Sequence, residues 1–470
     1  MSDAGATQSR WLQTGPNGPV LFSVAAFVLA FAPLIRGGNR PLPLLVLECA
    51  ALVALALIAI APASPALLRL PAPLRWGAAI LLAAPFVQLV PVPWAWWAAL
   101  PGHDAYARAL EAASALPAEG MHSLSMNARA TEYAGLAMLP CVAIFLLVRQ
   151  LDRRRLRRLV LIFVGVATAE ATLGIMQLGA PASSLLHLGN PHATGAATGT
   201  YVNRNHLAGL MAMVLPMLMA LWAVEVLPPM GPKGEILRDH PRNRDVKLAR
   251  RLALSVLMVA VVLALLFTRS RAGIGCGLAA LAAASLALVW KAGSLPARAI
   301  LAVVAAAALA LALYIGLTPV LERFGAEELS LSYAGRASIA AASVGAALDF
   351  LPFGSGLGTF ADVFARYQLE SFPGYIDHAH NDYVEAFLEL GVAGVASMAL
   401  LLAAYAMRWR ALARGRLSRS LGYLQVGAGL GMLALMVHGA FDFNFHIPAN
   451  AIYFSFLAGI FFFIPAEDRG

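Results

Sequence analysis

Between residues 377 and 394 the chain reads DHAHNDYVEAFLELGVAG, so Asp377, His378, His380, Asn381 and Asp382 all lie within six residues, directly ahead of an apolar run. Three kinds of chemistry are open to this cluster. His378 and His380 with Asp377 are metal-ligand types, but an alternate-residue histidine pair needs further ligands. The only other dense cluster is HGAFDFNFHIP, with His438, Asp442 and His446. In a structural reading Asp377 or Asn381 caps a helix that begins here and His378 is simply exposed. In a catalytic reading His380 is a general base: an imidazole with an ordinary pKa of about 6.5 is largely neutral near pH 7 and can take a proton from a hydroxyl group, oriented by Asp377 or Asp382.

Asp382, Glu385 and Glu389 recur at helical spacing, an acidic stripe leading into the apolar run, and Glu170 is a further ionisable residue inside an apolar segment. Such groups face a protein interior or a wet cavity. Arginines mark other entrances: Arg269 and Arg271 in TRSRAG, Arg336 in LSYAGRASIA, and Asn203, Arg204, Asn205 and His206 in YVNRNHLAG. A guanidinium is always charged, and its planar fork of donors suits phosphate oxygens. Arginines at span ends also snorkel to lipid headgroups, a reading open for Arg204 and Arg269. Arg336 lies away from any span end, which favours a functional role. Gly273, Gly275 and Gly277 follow no strand and precede no suitably placed acid, so they read as close helix packing rather than a dinucleotide fingerprint. Gly354, Gly356 and Gly358 in PFGSGLGTF form a flexible loop in which backbone could approach a ligand.

The elements that position these residues are membrane helices. Hydrophobic residues make up 60% of the 470 and charged ones 13%, with a mean hydropathy of +0.73. The net charge of +9 comes from short clusters between apolar runs, which fits a membrane and not a nucleic acid. A span needs about 20 apolar residues. That length picks out twelve segments: 18–35, 42–62, 76–93, 132–148, 159–178, 206–228, 252–267, 273–290, 298–316, 383–405, 421–440 and 447–465. The first reads as an uncleaved helix. Cys49, Cys141 and Cys276 stand singly in apolar stretches and read as inert.

Arg149, Arg153, Arg154, Arg155, Arg157 and Arg158 lie between spans four and five. Lys233, Arg238, Arg242, Arg244, Lys247, Arg250 and Arg251 lie between six and seven, and Arg408, Arg410, Arg414, Arg416 and Arg419 between ten and eleven. Positive loops resist translocation, so all three, and both termini, are expected in the cytoplasm. Residues 94–131, 179–205 and 317–382 then fall on the opposite face. The last of these is expected to pack as a loop on a single integral membrane domain spanning 1–470.

HNDYVEAFLELGVAG resembles the H-[NSQ]-x9-G-x-x-G pattern of the bacterial O-antigen ligase and O-antigen polymerase superfamily, through His380, Asn381, Gly391 and Gly394. SRAG, AGRASIA with PFGSGLGTF, NRNHLAG and DFNFHIPANA add to the resemblance, which covers roughly 200–465 as a ligase/polymerase-like core. It implies an all-α, C-type glycosyltransferase architecture with a large periplasmic loop, in the bacterial inner membrane. The implied reaction moves a glycan from an undecaprenyl-diphosphate-linked oligosaccharide to an acceptor glycan or lipid A core, with inversion and without a metal or other cofactor. By motif, His380 is the base and Arg271 and Arg336 bind diphosphate. Arg269, Arg204, Asn203, Asn205, Asn381, Asp382 and Asp377 are then substrate-side residues. Arg204 replaces the proline that the family often has between Asn203 and Asn205. Polymerase is the favoured reading from DFNFHIPANA, ligase or protein O-glycosyltransferase the alternative, and a lipid-linked glycan flippase the rival from another class.

Overall fold

The computed structural model describes residues 18–60, 70–113, 120–190, 195–226, 244–289, 295–322, 327–368, 374–414 and 419–464. Lys233, Arg238, Arg242 and Arg416, four of the charges used to orient the spans, lie outside them.

Helices make up most of the described residues. They begin with α1 (Gly18–Phe31), α2 (Pro41–Ile60) and α3 (Ala72–Gln88), followed by the short α4 (Trp94–Ala99) and α5 (Asp104–Ala112). Next come α6 (Ala128–Ala137), α7 (Leu139–Gln150), α8 (Arg153–Leu178), α9 (Arg204–Val226), α10 (Arg244–Phe267), α11 (Arg271–Val289) and α12 (Leu295–Glu322). The remainder are α13 (Glu327–Asp349), the short α14 (Phe360–Phe364), α15 (Asp382–Arg414), α16 (Arg419–Gly439) and α17 (Pro448–Phe461). Each of the twelve apolar segments coincides with a helix over most of its described residues, because within a bilayer a helix alone satisfies its own amides. Eight spans among the described residues, counting α6 and α7 as one, are long and apolar enough to cross a membrane by length and composition. The protein is an all-α polytopic membrane protein.

The helices differ from the hydropathy reading at several boundaries. The third span was expected to reach residue 93 but stops at Gln88. Pro91 and Pro93 lack the amide donors a helix needs and instead form a strand, β1 (Pro91–Pro93), antiparallel to β2 (Met121–Ser123) with Val92 opposite His122. The connecting segment 317–382 is largely helical where it is described. Its charges at Glu327, Glu328, Arg336 and Asp349 hide α13 from a hydropathy window. This helix packs on α15 through a small core of Ile339, Ala346, Ala347 and Phe350, with Phe360 and Phe364 of α14 and Leu388 of α15.

At the centre stands α9, nearly all of it buried, packed against α10, α11 and α16. Glycines make the close approaches possible. A Cβ on Gly427 or Gly431 of α16 would meet the Pro216 or Met213 carbonyl of α9 at 2.7 Å, and one on Gly273 would meet Ala208 Cβ at 2.4 Å. Of the glycines of RAGIGCG, Gly273 and Gly277 are therefore packing residues, while a Cβ on Gly275 would meet nothing within 4 Å.

The two ends of the bundle differ in chemistry. At one end Arg149 donates to the Phe462 carbonyl, Arg408 to Phe461, and Gln425 to Phe463, capping the last turn of α17. Arg157 and Arg250 pair with Glu225 at the foot of α9, and Arg155 lies against Gly18 at the start of α1. Described arginines of all three clusters, together with the start of α1 and the end of α17, thus share this end. The histidine clusters lie at the other.

Candidate active site

At the histidine end the N-termini of α9, α11 and α15 meet the C-terminus of α16. Asn381 caps α15: its Oδ1 accepts from the Tyr383 and Val384 amides at 3.0 and 3.2 Å, while its Nδ2 donates to the Ala440 carbonyl at 3.0 Å. Asn381 is therefore the cap, a position for which Asp377 was the other candidate. His380 precedes it with φ +51°, a left-handed conformation that costs energy in a non-glycine residue. The strain turns the imidazole toward the α16–α17 connection.

The carboxylate facing His380 is Asp442. Neither Asp377, which is exposed, nor Asp382, which bonds elsewhere, fills that role. His380 Nδ1 lies 3.7 Å from Asp442 Oδ1, an ion-pair distance longer than a hydrogen bond. Asp442 also accepts from Asn205 Nδ2 and from the Phe443 amide, and His206 Nε2 lies 4.0 Å away. Burial alone raises the Asp442 pKa, but His380, His206, His438 and Arg336 around it more than reverse this and hold the carboxyl below the usual carboxylate range. Asp442 is thus an anion beside the imidazole.

Phe443 orders the neighbouring rings. His378 stacks on it with centroids 4.1 Å apart, and His206 and His380 meet it edge-on at 4.8 and 5.2 Å. Next to it, Arg336 of α13 donates from Nη1 to the Phe441 carbonyl at 3.3 Å, which brings this guanidinium to the residue before Asp442. Arg271 is half-buried at the start of α11, two residues from Gly273, where a Cβ would lie 3.1 Å from His438 Cε1. Arg204 and Arg269 are exposed, the latter with φ +53°, and Asn203 is half-buried. Among the described residues Arg204, Arg269 and Arg271 pair with no carboxylate.

The acidic stripe on α15 is buried rather than open to solvent. Asp382 Oδ1 meets His446 Nδ1 at 3.0 Å, and Glu385 Oε1 meets His378 Nδ1 at 2.8 Å and His446 Nε2 at 3.2 Å. Glu385 Oε2 accepts from the Ala379 amide. Burial works against a charge on His446, yet Glu385 and Asp382 outweigh it and push its pKa up to about 10. His378, expected to be merely exposed, belongs to this network. Deeper, Glu389 accepts from the Phe360 amide at 3.0 Å. Glu170 does not join the stripe but accepts from the amide and hydroxyl of Thr200.

Below the stripe α15 is broken at Gly391 (φ +55°, ψ −135°). The carbonyls of Leu388 and Glu389 turn to the Ser355 and Gly356 amides, at 2.9 and 3.0 Å, and the Val392 amide bonds the Pro352 carbonyl. The PFGSGLG loop thus brings its backbone against α15. Gln88 of α3 clamps both, donating to the Glu389 carbonyl and accepting from the Leu357 amide. Asp442, Phe443, Glu385 and His446 are the site residues that motif reading did not place. The first, second and fourth lie in DFNFH, which signalled importance without revealing its partner.

Fold and site together define a polytopic helical membrane protein with a histidine–aspartate pair and unpaired arginines at one end of the bundle. Residues 255–399 match the family model described as O-antigen ligase, which supports the resemblance of this part of the chain to the O-antigen ligase and polymerase superfamily. The match runs from α10 through the first half of α15, and so includes Arg269, Arg271, Arg336 and His380. It supports a membrane glycosyltransferase activity of the ligase and polymerase type. No curated protein matches the chain.

Proposed function

We propose that the protein transfers a glycan from undecaprenyl diphosphate to an acceptor hydroxyl at the periplasmic face of the bacterial inner membrane. The arginine-rich end, with both termini, then lies in the cytoplasm. The observation that carries this reading is the His380–Asp442 pair, at the end away from the arginine-rich loops and with Arg336 anchored on the neighbouring carbonyl.

With Nδ1 turned to Asp442, the Nε2 of His380 is the nitrogen left for the acceptor. As the acceptor oxygen bonds to the anomeric carbon, its proton passes to Nε2. The bond from that carbon to the diphosphate oxygen breaks, and its electron pair leaves on undecaprenyl diphosphate. Attack from the face opposite the leaving group inverts the anomeric centre. Asp442 stabilises the imidazolium that forms, while Arg336 and Arg271 balance the charge growing on diphosphate, so that step needs no metal. Arg204, Arg269 and Asn203 line the donor side. Asn205 and Asn381 act one step back, through Asp442 and through the cap of α15.

The favoured acceptor is a second lipid-linked glycan, making the protein a polymerase. The description of the matching family keeps lipid A core as the second reading. Purified protein in detergent, given lipid-linked donor alone, then yields a ladder of longer glycans on the carrier. Product that forms only when lipid A core is added identifies a ligase. No turnover with either acceptor, alongside glycan translocation in sealed vesicles, identifies a flippase.

A further inference from the structure

We infer that His378, Glu385 and His446 form a binding site for a divalent transition metal of zinc type, separate from the proposed base. The inference does not rest on the proposed transfer reaction. Two histidines two residues apart cannot hold an ion by themselves, and the structure supplies different partners for one of them. Glu385 comes from one turn inside α15 and His446 from the turn before α17. One ligand atom from each of His378, Glu385 and His446 lies within 4.8 Å of the others. Tetrahedral zinc at 2.0–2.1 Å from nitrogen and oxygen spaces its ligand atoms by about 3.3 Å. Glu385 Oε1 stands 2.8 Å from His378 Nδ1 and 3.2 Å from His446 Nε2, so small adjustments admit the ion.

The surroundings match those of a metal histidine. A ligating imidazole characteristically donates its other ring N–H to a carboxylate, which fixes the tautomer. His446 meets Asp382 Oδ1 through Nδ1 at 3.0 Å, leaving Nε2 toward Glu385. His378 is fixed by its stack on Phe443, and Glu385 Oε2 is occupied by the Ala379 amide, leaving Oε1 for an ion. Two nitrogens and one oxygen with a fourth position open suit zinc in preference to magnesium or calcium. The ion is not part of the transfer chemistry: His378 turns to Glu385 while His380 turns to Asp442.

The test is metal analysis of the full chain, purified in detergent through a tag without histidines, incubated with zinc chloride and desalted. Wild type and His380→Ala are expected to retain near-stoichiometric zinc, and His378→Ala and His446→Gln to retain at least about tenfold less. Cobalt(II) in place of zinc is expected to give visible tetrahedral d–d absorption in wild type and none in Glu385→Gln. Wild type that retains no more zinc than His446→Gln, or that binds cobalt without this absorption, overturns the site whether or not the variants fold. Equal loss in His380→Ala overturns its separation from the base. Glycan transfer is read independently, so the two proposals fail separately.

Discussion

His380 Nδ1 and Asp442 Oδ1 stand 3.7 Å apart, joining the entrance of α15 to the exit of α16. Asparagine 205 at the head of α9 donates to the same carboxylate, and the Asp382 amide bonds the Asp442 carbonyl at 3.3 Å. Three helix ends are thus tied to one imidazole, whose Nε2 is left for substrate.

If Asp442 stabilises the imidazolium, replacing its charge without changing its shape harms the chemical step more than binding. Asp442→Asn is expected to lower kcat about 10²- to 10³-fold with KM within a few-fold of wild type. Single-turnover transfer with a lipid-linked donor measures this. A variant with wild-type kcat reduces Asp442 to a structural residue.

The same carboxyl fixes a pH dependence. Its folded pKa lies below the ordinary carboxylate value of about 3.9, so its contribution to stability is fully present above that value and is lost as pH falls through the lower folded pKa. The difference in Tm between wild type and Asp442→Asn is therefore expected to stay constant from pH 8 to 5 and to narrow only below about pH 4. Thermal scans in detergent check it. A difference that closes between pH 7 and 5 assigns the effect to another group.

Arg336 is half-buried and bonded beside Asp442, whereas Arg269 is exposed. Arg336→Ala and Arg271→Ala are expected to lower transfer by at least about 10²-fold, with Arg269→Ala losing less. Lysine at 336 recovers little, because a point charge does not reproduce the planar fork. Equal effects at 269 and 271 would refute the division of roles at the start of α11.

Guanidinium groups that take the diphosphate charge leave magnesium with no task there. The initial rate of transfer is expected to be unchanged when Mg²⁺ is omitted and EDTA added to the assay buffer. Restoration of a lost rate by Mg²⁺ would return the diphosphate to a metal.

How much of this was legible in the sequence divides along physical lines. The spans were, since each is a local run whose apolarity alone forces a helix in lipid. Helix α13 was not, because Arg336 and its other charges lower the hydropathy of a helix that packs through Ala346, Ala347 and Phe350 on one side only. His380 and Asp442 could each be singled out by type, but their pairing depends on how α15 and α16 meet, which no local pattern records. Adjacency misled as well. Asp377 and Asp382 are nearer His380 along the chain, yet the carboxylate that stands beside its ring is that of Asp442.

The break in α15 was likewise hidden, since ELGVAG reads as uninterrupted membrane helix. At Gly391 the backbone takes φ +55° and ψ −135°, a region essentially closed to side-chain-bearing residues, and a Cβ there would lie 2.2 Å from the Pro352 carbonyl oxygen. The conformation frees the Leu388 and Glu389 carbonyls to hold Ser355 and Gly356, and so fixes the loop that Gln88 clamps. Gly391→Ala must either force that loop off α15 or straighten the helix, and both displace the Glu385–Glu389 turn below His380. It is expected to cost roughly 1–3 kcal/mol from the backbone alone, with further loss from the steric contact, and to lower transfer along with Tm. Gly275 of α11 makes the control, because a Cβ there meets nothing within 4 Å and its φ is ordinary, so Gly275→Ala should leave both unchanged. Paired thermal melts and transfer assays in detergent decide it. A Gly391→Ala variant as stable and active as Gly275→Ala would mean that the break in α15 does not hold the site in place.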